Sequence, residues 1–409
     1  MDGDRDRVSQ VSTPGRLETW DRCRPSAETI SMSYDVIVLG LGGMGSAAVQ
    51  HLAQRNMRVL GIEQFTPAHD KGSSHGGTRM IRQAYWESPD YIPLVLRAYE
   101  LWERLERDAG ARLLTITGGL ILGSDSSPLV TGGIAAAHAH GIRYSVLSPS
   151  EIRERFPAIT PLDEDVAVHE ELAGYLFPEE CIRAQLKVAA QSGAELHFDE
   201  KVLNWEAKPG RVEVKTDRAV YIAERLVIAA GPWANYALRN LFPLRVTRQV
   251  MTWIQPVGGI EQFLPGRFPV FLCDSPEDGL PGYGFPAVDG PSGGVKAAIH
   301  GSTIECTPET VDRVIHEVDC DEVIRRLTPR FPALKGEILK AATCMYTMTP
   351  DEHFIIGQHP HFPSVSIACG FSGHGFKFAP VVGEILADLA TKGATSHPIG
   401  LFSPTRFSA

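Results

Sequence analysis

Gly40-Leu41-Gly42-Gly43-Met44-Gly45 follows directly on the apolar run 34–39 and leads into the helix-forming stretch 46–54. Strand, glycine turn and helix in that order let backbone N–H groups and a helix N-terminus approach a pyrophosphate where side chains would stand in the way. A second apolar run, 58–62, ends in Glu63, and 63 − 45 = 18 residues is close to the spacing at which a carboxylate meets a ribose hydroxyl. The chemistry predicted is dinucleotide binding, and Glu63 disfavours a 2′-phosphate. A later segment, 225–233, is another buried strand running into a glycine turn at Gly231, with Trp233 two residues on. It reads either as a further strand beside the same cofactor or as a plain core strand.

The elements that must position these residues span a chain of 409 residues, a prior of two to three domains of roughly 150 residues. Hydrophobic residues at 43% and charged residues at 22% exclude a disordered or collagen-like chain. A net charge of −10 argues against nucleic acid or an anionic membrane as the partner. The seven cysteines are odd in number and include no C-x-x-C pair, which predicts a reducing cytoplasm and no structural zinc. Residues 1–33 carry scattered charge without an apolar core and read as a disordered extension. Strands are predicted near 212–214, 250–254 and 295–300, and helices over 92–107, 182–190 and 311–327. Val49 stands where the dinucleotide motif usually has a small residue, and Asn56 where a turn usually has glycine, a position Asn tolerates. His359 and His361 lack partners at metal-ligand spacing, so no metal site is predicted.

Three segments carry a further signature: Gly72-Ser-Ser-His-Gly-Gly-Thr-Arg-Met-Ile-Arg82, Cys344-Met-Tyr-Thr-Met-Thr-Pro-Asp-Glu-His-Phe-Ile-Ile356 and Gly370-Phe-Ser-Gly-His-Gly-Phe-Lys-Phe378. They closely resemble the monomeric sarcosine oxidase family, FAD enzymes that oxidise secondary amino acids, and the likeness covers nearly everything from Tyr34 onward. The resemblance implies an α/β fold: a discontinuous Rossmann-like FAD-binding domain over 34–115, 175–245 and 340–400, and a substrate domain on a mixed β-sheet over 116–174 and 246–339. It implies FAD attached through a thioether at Cys344. The implied cofactor contacts are Gly40, Gly42, Gly43, Met44, Gly45, Glu63, Ser73, Arg79, Val202, Gly231, Trp233, Cys344, Gly373, Gly375 and Lys377.

Arg82 and Lys377 match the family's carboxylate anchor, and a guanidinium plus an ammonium suits that task. Lys296 matches a lysine that promotes reaction with oxygen; a cation there stabilises the negative charge that forms on dioxygen. His300 lies four residues on, on the same strand face. His75 and Arg79 match residues on the flavin side opposite the substrate, and Tyr283 and Tyr346 match aromatic walls that hold the amine's methyl group and exclude water. The resemblance implies a monomeric oxidase that converts an N-methyl amino acid, sarcosine before N-methyl-tryptophan, pipecolate or proline, with dioxygen to peroxide. The alternatives are a same-fold dehydrogenase with another acceptor and a non-catalytic flavin-binding protein. Substrate size is expected to be set by gate segments 86–91 and 251–255, where Met251 and Trp253 are bulky.

Overall fold

The computed structural model describes residues 33–275 and 277–407. The extension read over 1–33 lies outside the described residues except for Ser33, which opens the first strand, Ser33–Leu39. That strand is the hub of an eight-stranded sheet, flanked in parallel by Val59–Ile62 on one side and Val220–Ile228 on the other. Val36, Ile37 and Val38 are all fully buried. Both faces of a parallel strand are covered, so it reads as a continuous apolar run, and each such side chain contributes about 1.5–3 kcal/mol on burial. Helices Gly43–Ala53, Pro178–Gln191 and Ala379–Lys392 pack together around this sheet. The segment left open between cofactor strand and core strand thus stands beside the dinucleotide turn, through its ladder with Ser33–Leu39. Val49 is buried inside Gly43–Ala53, and Asn56 takes the left-handed conformation, φ 61°.

A second, nine-stranded mixed sheet is built from Arg245–Ile254, Val295–Ile299, Gly282–Gly284, Val270–Cys273 and Gly119–Ser124, continuing to Asp165–Glu170 and Ser145–Leu147. Ile338–Met348 pairs antiparallel along Arg245–Ile254, with Cys344 opposite Gln249. The expectation put residues from 340 with the nucleotide half; up to Met348 they pair into the other sheet, and the ladder sets that membership. We propose the domain boundary after Met348. A three-stranded sheet, Arg79–Ile81, Gly174–Leu176 and Leu114–Ile116, joins the two halves.

The helix expected over 311–327 forms only as Glu317–Leu327. Residues 311–316 are drawn off as a strap, because buried Arg248 gathers the Asp312 and Val314 carbonyls and pairs with Asp319 at 2.7 Å. Among the described residues no helix is long and apolar enough to cross a membrane.

Candidate active site

A cavity of about 620 Å³ is lined both by the glycine turn and by the basic and aromatic residues singled out above. Gly40 adopts φ 85°, and a Cβ there would come within 2.6 Å of the Ala229 carbonyl oxygen; a Cβ on Gly45 would stand 1.7 Å from the Gly40 carbonyl oxygen. Only glycine closes this turn. Gly40, Gly42, Gly43 and Met44 line the cavity, whereas Gly45 supports it from behind. Glu63 accepts the Leu41 N–H at 2.9 Å and the Phe65 N–H at 3.2 Å. A carboxylate has about four acceptor positions, so capacity for a ribose hydroxyl remains. Val202, Gly231 and Trp233 also line the cavity. Trp233 is fixed by Phe65, with ring centroids 5.4 Å apart, and by Glu309, which accepts its indole N–H at 3.1 Å. The close backbone turn, the acid and the long cavity fit a flavin dinucleotide.

Arg79 and Cys344 meet at one wall, with Nη2 3.7 Å from Sγ. The same Nη2 donates to the Ser73 carbonyl at 2.8 Å, and Ser73 Oγ donates to the Met345 carbonyl at 2.7 Å. Loop 72–79 is thereby tied to the strand carrying Cys344. His75 does not line the cavity. It is buried, its Nε2 has no partner among the described residues, and burial together with Arg79 pushes its pKa down to about 4.

Lys296 also stands behind the lining. Its Nζ donates to the Gly76 carbonyl at 2.7 Å, the Thr78 carbonyl at 2.8 Å and Thr78 Oγ1 at 3.2 Å, and it lies 4.9 Å and 5.4 Å from the Phe285 and Trp253 ring centroids. Burial and Arg79 push it well below the ordinary lysine range. Three acceptors and two ring faces oppose that shift. An ammonium has three N–H groups to give and a neutral amine two, so this cage suits the cation.

Elsewhere in the lining Arg82 and Lys377, both buried, lie 4.5 Å and 5.0 Å from the centroid of the Tyr85 ring. Lys377 Nζ donates to the His374 carbonyl at 2.7 Å, and burial followed by Arg82 pushes its pKa down to about 7. Arg82 pairs with both oxygens of Glu87 at 2.7 Å. Burial pushes the Glu87 carboxyl up, but Arg82, with His374 and Lys377 nearby, outweighs it and holds the group at about 2. A carboxylate therefore already takes Nη2 of the guanidinium, while Nη1 donates to the Ala84 carbonyl. His300 Nδ1 lies 3.3 Å from the Tyr346 hydroxyl and the His300 ring is 6.3 Å from the Tyr283 ring, so the three form one aromatic wall. Gly373 and Gly375 also line the cavity.

Glu87, Tyr85 and His374 were not singled out from the sequence. Glu87 falls inside gate segment 86–91, and Trp86 and Glu87 do line the cavity, but no periodic spacing marks the acid as Arg82's partner. Of the second gate segment Met251 lines the cavity while Trp253 does not; its ring is held between Lys296 and Lys340. His359 packs on Phe362, ring centroids 4.9 Å apart.

The family model described as FAD dependent oxidoreductase matches residues 35–389. Among similar proteins, monomeric sarcosine oxidase of Streptomyces avermitilis is 48% identical over 382 residues, covering 93% of this chain and 99% of the relative. N-methyl-L-tryptophan oxidase of Yersinia pestis is 35% identical over 378 residues, 92% and 100% of the two chains. Among solved structures, NikD, an unusual amino acid oxidase, superposes with TM-score 0.80 at 26% identity over 91% of this chain and 98% of its own. The L-proline dehydrogenase of P. horikoshii superposes with TM-score 0.79 at 26% identity, over 92% and 98%. A family match across almost all of the described chain, and a sarcosine oxidase relative sharing nearly half its residues end to end, establish that this chain belongs to the FAD-dependent oxidoreductases, among the relatives of the monomeric sarcosine oxidases.

Proposed function

We propose that the protein is an oxidase of N-methyl amino acids acting on sarcosine, with FAD held covalently by Cys344. The observation that carries this reading is the pair of buried cations, Arg82 and Lys377, stacked on one Tyr85 ring beside the aromatic wall, in the cavity that the dinucleotide turn also lines. When bound, the flavin would supply an acceptor for a hydride equivalent from the amine's methyl carbon and a donor of two electrons to dioxygen. The balance is sarcosine, dioxygen and water to glycine, formaldehyde and hydrogen peroxide.

The chain's residues do the rest. Arg82 and Lys377 bind the substrate carboxylate and so fix the amine against the aromatic wall, which replaces translational freedom with one orientation. Tyr283, Tyr346 and His300 exclude water from the C–H bond that breaks. Burial keeps the Tyr346 hydroxyl protonated by pushing its pKa well above 10, and burial pushes His300 down to about 4, so at neutral pH the wall is uncharged and favours a neutral amine. Arg79 and Lys296 supply positive charge where electrons accumulate, and Lys296 favours the negative charge that forms on dioxygen.

The testing experiment is the absorbance spectrum of the purified protein before and after acid precipitation, then peroxide release with sarcosine, N-methyl-tryptophan and pipecolate. Yellow pigment should stay with the precipitated protein and be lost from it in Cys344→Ala, and sarcosine should give the highest kcat/KM. Pigment in the parental supernatant would return Cys344 to packing, and dye reduction without oxygen consumption would favour a dehydrogenase, as the structural neighbour L-proline dehydrogenase is by name.

Lys377 also gives the site a pH dependence. Its free-enzyme pKa of about 7 means that above this value carboxylate binding must take up a proton. Affinity for a small carboxylate such as acetate, read by calorimetry, should be flat below about pH 7 and fall about tenfold per unit above it. Lys377→Arg keeps the charge at all accessible pH and should remove the slope.

A further inference from the structure

Glu179, the second residue of helix Pro178–Gln191, does not line the cavity, yet its Oε1 accepts the Gly76 N–H at 2.6 Å and the Gly77 N–H at 3.1 Å. Both glycines have left-handed φ, 96° and 76°, which turns their N–H groups toward one oxygen. The Gly77 N–H and the Gly76 carbonyl belong to the same peptide group, and that carbonyl accepts from Lys296 Nζ at 2.7 Å. A carboxylate on one end of a peptide and an ammonium on the other polarise it in the same sense, so each hydrogen bond strengthens the other.

We infer that Glu179 is a positioning residue for Lys296: it anchors the two-glycine turn and, through the Gly76–Gly77 peptide, supplies the counter-charge that keeps the lysine protonated behind the cavity. This rests on the reading of Lys296 given above. The charged and titratable groups facing Lys296 are Arg79 and His75 of segment 72–79, Cys344 and Lys340 on Ile338–Met348, and Glu179. Glu179 is thus the one carboxylate among them. No local pattern marks it, since 103 residues separate Glu179 from Gly76.

The test uses the holoenzyme. Glu179→Gln keeps an oxygen for the two N–H groups and removes the charge. When the reduced enzyme is mixed rapidly with dioxygen, the alkaline limb of the rate should move to lower pH by about one unit, because Lys296 loses its proton more readily. Lys296→Met should lack the limb, and Glu179→Gln should slow the reaction no further in that background, whereas an independent structural role would give additive losses. Hydrogen exchange of segment 72–79, a readout apart from turnover, should be faster in Glu179→Ala and near parental in Glu179→Gln. If Glu179→Gln does not fold, Glu179→Asp, one methylene short, should move the limb the same way by a smaller step. An unmoved limb, additive losses, or unchanged exchange in Glu179→Ala would overturn the inference. An oxygen rate unaffected by Lys296→Met would instead overturn the role of Lys296 itself.

Discussion

Replacing Arg82 with methionine is expected to lower kcat/KM for sarcosine about 10²–10³-fold, mostly through KM. The guanidinium offers a carboxylate two charge-assisted hydrogen bonds, each worth about 1.5–3 kcal/mol, and a factor of ten is about 1.4 kcal/mol. Methionine keeps the stem's packing against Tyr85 and removes the fork. In this structure both oxygens of Glu87 meet Nη2 at 2.7 Å and the Ala84 carbonyl takes Nη1, so an incoming carboxylate must take over hydrogen bonds already made. Glu87→Gln should therefore lower KM several-fold and also lower Tm, since a buried cation that loses its charged partner destabilises the fold by about 3–5 kcal/mol. Steady-state kinetics on the two variants separate the outcomes. An Arg82→Met enzyme with unchanged KM and a reduced kcat would place the carboxylate elsewhere.

The second large effect is expected on the oxygen half of the cycle. Lys296→Met should slow the reaction of the reduced enzyme with dioxygen about 10²–10³-fold, the usual cost of deleting one group aimed at developing charge. Reduction by sarcosine without oxygen should change less than tenfold, because Arg82 and Lys377 remain. Methionine fills the space between Phe285 and Trp253, so the loss tracks charge and not a cavity. Stopped-flow absorbance on the two halves measures both rates. Equal slowing of both halves would show that Lys296 serves the architecture around loop 72–79 and not the oxygen step.

Much of the fold was legible because its signals are local. An apolar run, a glycine turn and a helix sit next to one another in sequence, so Ser33–Leu39, Gly43–Ala53 and Val59–Ile62 could be read with the acid that follows them. Ile92–Ala109 carries its apolar face at helical spacing and ends in left-handed Gly110, again a local signal. The helix expected from 311 failed at its first six residues because Arg248, distant in sequence, offers the Asp312 and Val314 carbonyls better partners than a helical turn would. Likewise the ladder from Arg245–Ile254 claims Ile338–Met348 for the second sheet, a choice that pattern cannot express.

Neighbouring residues in the chain marked the dinucleotide turn with its acid, and the resemblance to a known family marked the cysteine, the cations and the aromatic residues. Tertiary structure alone decided which of them meet and what charge state they meet in. It stacked Arg82 and Lys377 on one ring although 292 residues separate Lys377 from Tyr85, set Glu87 against Nη2 of Arg82, and withdrew Lys296 and His75 behind the cavity wall. The physical reason is one of range. Turn and strand preferences act over a few residues, whereas desolvation and Coulomb interaction act through space and exist only once the sheets have closed around the site.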